Sequence, residues 1–278
     1  MSPKNKGYQK PKSTNKFILQ MQKKAAEKKL HDLKMGYIKE PEIKAFYEEF
    51  QTFMNWDHPL DFKIEAAVTT SDERKSWATV RPPENEKEPY VLEVDVTASA
   101  VRKNDYKMLM YHEFTHIYDG LTIHDKAKQK GIERTGSWYT EVHATEIELM
   151  CACDFDSAAS SQKVDIKKAI PYYGTEITIE EFGSRKRSEI ESRISQKDIV
   201  GAVKHLQYYI GYIRFAKYHC ALNEAEWDQI IATEFLKKNF GEAVISIRDL
   251  LLKDYFPVIW FNRITNLEYK LLTGLYQQ

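Results

Sequence analysis

The stretch YHEFTHIYDG, residues 111 to 120, places His112, Glu113 and His116 at the spacing His-Glu-x-x-His. On an α-helix, residues four apart project only about 40° from one another, one turn up. His112 and His116 therefore point the same way and can hold one ion between them. Glu113 lies about 100° round from His112, beside the ion, where its carboxylate can take a proton from an attacking water and pass it to a leaving amine. This geometry is why zinc-dependent peptide hydrolysis uses the spacing. Two imidazoles with a carboxylate favour Zn2+ over harder or softer cations.

A catalytic zinc needs a third protein ligand and an open fourth position. His124 comes eight residues after His116, and Gly120 four after it, whereas the long form of the motif requires six and three. That register fails. The stronger candidate is Glu141 in TEVHATEIEL, separated from His116 by 24 intervening residues, in the first turn of an expected helix. Ala144 lies about 60° from Glu141 on that helix, a small side chain that would let two helices approach closely. Glu148 returns to within about 20° of Glu141 two turns further along, while Glu146 and His143 face elsewhere. His143 reads as a surface histidine or one standing behind a ligand.

The elements that must position these groups follow from periodicity. KFILQMQKKAAEKKLHDLKMG and PEIKAFYEEFQTFMNW carry apolar residues at helical spacing,. DFKIEAAVTT, KSWATVRPP and PYVLEVDVTAS show β-branched alternation with proline breaks, the mark of a small sheet. In PYVLEVDV, Val91, Glu93 and Asp95 fall on one side and Leu92, Val94 and Val96 on the other. A helix resumes over 105–120, with Asp105 as N-cap and Gly120 as stop. A loop leads to the glutamate helix over 137–160, capped by Ser137. A strand over TEITIEEF and three helices near 195–221, 223–239 and 242–255 follow. The KRSEIESR charge run reads as a solvated face.

The 278 residues carry no formal net charge, with 42% hydrophobic residues, a folded chain rather than a polyanion binder. Residues 1–34 nevertheless hold ten lysines against only Glu27 and Asp32. They read as a flexible basic arm, a solubilising tail or a dock for nucleic acid, that runs into the leading helix. The three cysteines, Cys151, Cys153 and Cys220, have no framework spacing, which suits a reducing compartment. No signal-peptide core or 18-residue apolar run is present, so the expectation is a soluble, cytoplasmic chain without membrane contact.

The HExxH run followed by a helix carrying Glu-x-x-Ala resembles the gluzincin branch of zinc metallopeptidases. The layout of leading helix, small sheet, HExxH helix and glutamate helix is also similar to the ImmA/IrrE-type peptidases of bacteriophage and mobile elements, over residues 40 to 160. This sequence lacks the Leu-Gly common inside the ImmA-type motif. The resemblance implies His112, His116 and Glu141 as zinc ligands and Glu113 as general base and acid. It implies an α+β fold: a zincin-like domain over 35–165, preceded by the arm over 1–34, with a helical region over 166–278 packed on it. It also implies that the strand PYVLEVDV cradles an extended peptide by edge pairing. Where some gluzincins carry an aspartate that orients a zinc histidine, Thr145 stands here, leaving Asp119 as the candidate outer partner.

The expected activity is zinc-dependent endoproteolysis of a protein or peptide substrate. Two alternatives are a metal-stabilised, non-proteolytic structural or interaction protein, of phage origin, and a DNA-linked regulator using the lysine arm. An oxyanion donor is to be sought among His205, Tyr208, Tyr209, Tyr212, Tyr218 and His219, which one helix carries; spacing does not choose among them.

Overall fold

A computed structural model describes residues 40–58, 62–67, 78–83, 88–95, 103–124, 137–172, 174–254 and 260–276. The basic arm and the helix expected over 16–36 lie outside the described residues. Helix α1 (Glu40–Met54) buries Ile43, Phe46, Tyr47, Phe50 and Phe53 along one stripe, as their spacing predicts. These rings meet Phe62 of β1 (Phe62–Ala67) and Tyr111 and Phe114 of α2 (Lys103–Asp119), with centroids 5.0 to 5.7 Å apart. Contacts of this geometry add to the area term. The apolar face of the HExxH helix is thus seated in an aromatic cluster.

Strand β3 (Tyr90–Asp95) lies at the centre of a three-stranded sheet, parallel to β1 and antiparallel to β2 (Ala78–Arg81). Leu92 and Val94 are buried, as the alternation requires,. The central position corrects one expectation: both edges of β3 are taken, so PYVLEVDV cannot accept an added peptide strand. The described strand with one neighbour on the cleft side is β2.

Two further expectations change at α2. The helix begins before Asp105, which is buried inside it and accepts a hydrogen bond from the Gly174 N–H at 2.7 Å instead of capping. After Asp119 the chain continues as a π-helical turn, Gly120–His124. Glycine at 120 leaves room for the Tyr90 ring, whose hydroxyl a Cβ there would displace.

The glutamate helix α3 (Ser137–Ala152) ends at Ala152 rather than near 160. The expected strand TEITIEEF divides. Its first half is β5 (Thr175–Thr178), paired in a hairpin with β4 (Ala169–Tyr172). Its second half opens α4 (Ile179–Ser195), because Thr178 and Glu181 form a capping box,. Helix α5 (Ile199–His219) follows. The helix expected over 223–239 is two, α6 (Glu224–Ile231) and α7 (Thr233–Phe240), broken at Ala232 with φ 44°. After α8 (Glu242–Leu251) comes α9 (Trp260–Tyr276), whose Phe261, Ile264, Leu271 and Leu275 are buried at helical spacing. The architecture is mixed α+β, mostly helical with a small sheet, and residues Lys39–Gln278 form one compact unit. Among the described residues, no helix is long and apolar enough to cross a membrane.

Helix α5 packs against both α3 and α4. Contact with α3 is close because Gly211 has no side chain: a Cβ there would sit 2.5 Å from Thr145 Cβ and 2.8 Å from the Val142 carbonyl oxygen. A backbone oxygen cannot move aside as a side chain can. Gly211→Val is therefore expected to cost about 1–3 kcal/mol, lowering the melting temperature by several degrees in a thermal unfolding scan.

A buried ion network braces the same interface. Glu146 of α3 accepts from Arg214 Nε at 2.6 Å, and its other oxygen lies 3.3 Å from His219 Nε2. Arg214 also donates to the Leu251 and Lys253 carbonyls. Burial opposes charge on Glu146, but the Arg214 charge and the His219 bond hold its carboxyl down at about 2. Its folded pKa lies below the unfolded value, so its stabilisation is present above about 4.5 and is lost as pH falls towards 2. Melting temperature should fall through that window, and fall less in Glu146→Gln, which starts lower.

Candidate metal centre

The two histidines of α2 and Glu141 of α3 converge. Glu141 Oε2 lies 3.5 Å from His112 Nε2 and 3.8 Å from His116 Nε2. The three donor atoms all fall within 4.8 Å of one another. A tetrahedral zinc with bonds of about 2.0–2.2 Å sets its ligand atoms roughly 3.3–3.5 Å apart, so a small contraction would close the shell. Glu141 Oε2 is buried and has no hydrogen-bond partner among the described residues. A buried carboxylate oxygen aimed at two imidazole nitrogens is what a cation would satisfy. The donor set, two nitrogens and an oxygen with a fourth direction left to the cleft, fits Zn2+ in an open site.

The electrostatics fit the same occupant. Burial disfavours charge on His112, yet the flanking Glu141 and Glu148 carboxylates push its pKa up to about 10. Without an ion, a proton there balances the two acids, and a bound cation would displace it. Burial and the neighbouring His112 charge bring His116 down to about 4 against the pull of Glu141, leaving a neutral imidazole whose lone pair is ready to coordinate. Glu141, despite burial, is held at about 2 by the two histidines.

Glu113 is also buried, one side of its carboxylate accepting the Val80 N–H of β2 at 2.9 Å. Burial raises its pKa, the Glu141 charge adds to this, and the result is about 7 although the His112 charge opposes it.

The outer partner of the candidate ligands is not the one expected. Asp119 contacts His143 Nδ1 at 2.9 and 3.1 Å, tying the end of α2 to α3 rather than orienting a zinc histidine. Glu148 holds that position instead, its Oε2 lying 2.9 Å from His112 Nδ1. It fixes the ring so that Nε2 faces Glu141. The sequence carried the signal, since Glu148 shares the face of Glu141, but gave no means of ranking a ligand against a partner of a ligand. Loss of such a partner weakens metal binding by about 10–100-fold. That is the decrease expected for Glu148→Ala when zinc affinity is measured by chelator competition.

The group opens onto a cleft of about 410 Å³, within the range that binds ligands. Its walls come from β2 (Thr79, Val80), from α5 (Lys204, Tyr208) and from α9 (Phe261). Of the six candidate oxyanion donors on α5, Tyr209, Tyr212 and His219 are buried in the core. His205 sits against Glu189 at 2.8 Å, and Tyr218 donates to the Leu252 carbonyl. Tyr208 lines the cleft, its ring 5.8 Å from that of His112. No sequence signal pointed to Val80, Lys204 or Phe261. The Cys151, Cys153 and Cys220 thiols are free, and burial pushes each up to about 12.

No family model matches this chain, and neither a curated protein nor a solved structure matches it.

Proposed function

We propose that the chain is a zinc-dependent metalloendopeptidase of zincin-like, gluzincin type acting on a protein or peptide substrate. The observation that carries this reading is the convergence of His112, His116 and a buried Glu141 oxygen that faces both imidazoles, beside a buried Glu113. His112, His116 and Glu141 would hold the ion, which supplies Lewis acidity to polarise the scissile carbonyl and acidify water. Glu113 takes the proton from the attacking water and delivers it to the leaving amine. Tyr208 stands on the cleft wall where a hydroxyl can donate to a developing oxyanion,.

The substrate backbone runs along β2. Val80 turns its N–H away from β3 and towards Glu113, so β2 presents its outer edge to the cleft. An extended peptide can run along that edge, pairing with main-chain groups other than the Val80 N–H, which Glu113 holds,. Free thiols without disulfides suit a reducing, cytoplasmic setting.

The test is metal content together with hydrolysis. Purified protein should carry one zinc per chain and cleave an unfolded protein such as reduced casein. Cleavage should stop with a chelator and return with added zinc. A well-folded chain that takes up no zinc overturns the reading. One that binds zinc and cleaves nothing favours the non-proteolytic alternative.

A further inference from the structure

The cleft lining contains one lysine or arginine among the described residues, Lys204 on α5. Every carboxylate of that lining has a commitment. Glu141 faces the two histidines, Glu113 accepts from Val80, and Asp119 is paired with His143. Lys204 has no such commitment: its ammonium makes no ion pair or hydrogen bond with any described residue. It rests 5.7 Å from the centroid of the Tyr208 ring, one helical turn along α5. Tyr208 is itself held in place, with the His112 ring 5.8 Å away and the Lys186 ammonium 5.4 Å from its centroid.

The contrast with Lys186 is instructive. That ammonium is buried, pairs with Glu189 at 3.0 Å, and is ringed by Tyr172, Phe182 and Tyr208. It is a finished internal contact. Lys204 is exposed, lies near the Tyr208 ring, and lines the cleft.

We propose that Lys204 is the specificity-determining residue of the cleft, selecting substrates that present a carboxylate next to the bond to be cut. The inference rests on the metallopeptidase reading above and deepens it. A substrate carboxylate arriving in a partly closed cleft meets a cation that no protein group neutralises. The carboxylate can be an Asp or Glu side chain or the end of a peptide.

The test uses the zinc-loaded full chain and short peptide hydroxamates, which bind through the metal and need no turnover. Three probes separate the sources: a glutamate with its C-terminus amidated, a glutamine likewise amidated, and a glutamine with a free C-terminal carboxylate. At least one carboxylate probe should bind about tenfold more tightly than the amidated glutamine, the size of a charge-assisted contact. Which one does so identifies the source. The ratio should collapse towards one in Lys204→Met, and Lys204→Glu should favour a lysine-bearing probe instead. Lys204 is exposed, so these variants should fold, and unchanged zinc content checks that they do. Equal binding of all three probes to wild type, or a ratio that survives Lys204→Met, overturns the proposal while leaving the metal site standing. A well-folded chain that takes up no zinc, and so binds no hydroxamate, removes both readings together.

Discussion

Glu113→Gln is expected to leave one zinc per chain and to lower the peptidase rate by about 10³-fold, within the span of general acid–base contributions. Glutamine matches glutamate in shape and can still accept the Val80 N–H, so the buried site keeps its packing. What it loses is the ability to hold a proton in one half of the cycle and release it in the other. Zinc content measured beside initial rates separates the outcomes. Zinc kept with activity lost assigns the base. Activity kept means that another group takes the proton. Zinc lost means that Glu113 serves the fold rather than the reaction.

Glu141→Ala should act on the other half of the machinery. Removing a ligand ought to exceed the 10–100-fold loss that follows removal of a ligand's partner, so the affinity for zinc should drop by more than 100-fold. Melting curves report this without any substrate. Free zinc at about 1,000 times its Kd stabilises a folded chain by about 4 kcal/mol, whereas a variant binding 100-fold more weakly gains only about 1.4 kcal/mol at the same concentration. The zinc-induced rise in melting temperature should therefore shrink to a third or less. A full rise in Glu141→Ala would move the third ligand elsewhere, with Glu148 and His124 to be tried next.

The parts of this site legible in the sequence are those that local geometry dictates. His112, Glu113 and His116 share one helix, and a period of 3.6 residues sets their directions before any tertiary contact forms. Glu141 was within reach because it opens the next helix, although its encounter with the histidines depends on how α2 and α3 dock. Glu148 shared its face and so could be nominated but not ranked. Lys204, Tyr208 and Phe261 come from helices more than 60 residues further along, and periodicity shows which face of each helix is apolar without showing which neighbour it meets. The sheet teaches the same lesson. Alternation placed Leu92 and Val94 inside, yet nothing in PYVLEVDV says that it lies between two strands while β2 takes the edge. The break at Ala232 was equally hidden, since no glycine or proline marks it.

The Arg214 brace has a bearing on modularity. One guanidinium joins the glutamate helix to the end of α8 through Glu146 and two carbonyls, and α5 and α9 furnish cleft walls that the first half of the chain lacks. A fragment stopping at residue 165 would keep both histidines, Glu113 and Glu141. It would also lose the Arg214 and His219 partners of Glu146 and open the apolar α3 surface to water. The working unit is therefore not a portable cassette with an accessory tail, and grafting or truncation has to carry the helices beyond 165 along with the motif.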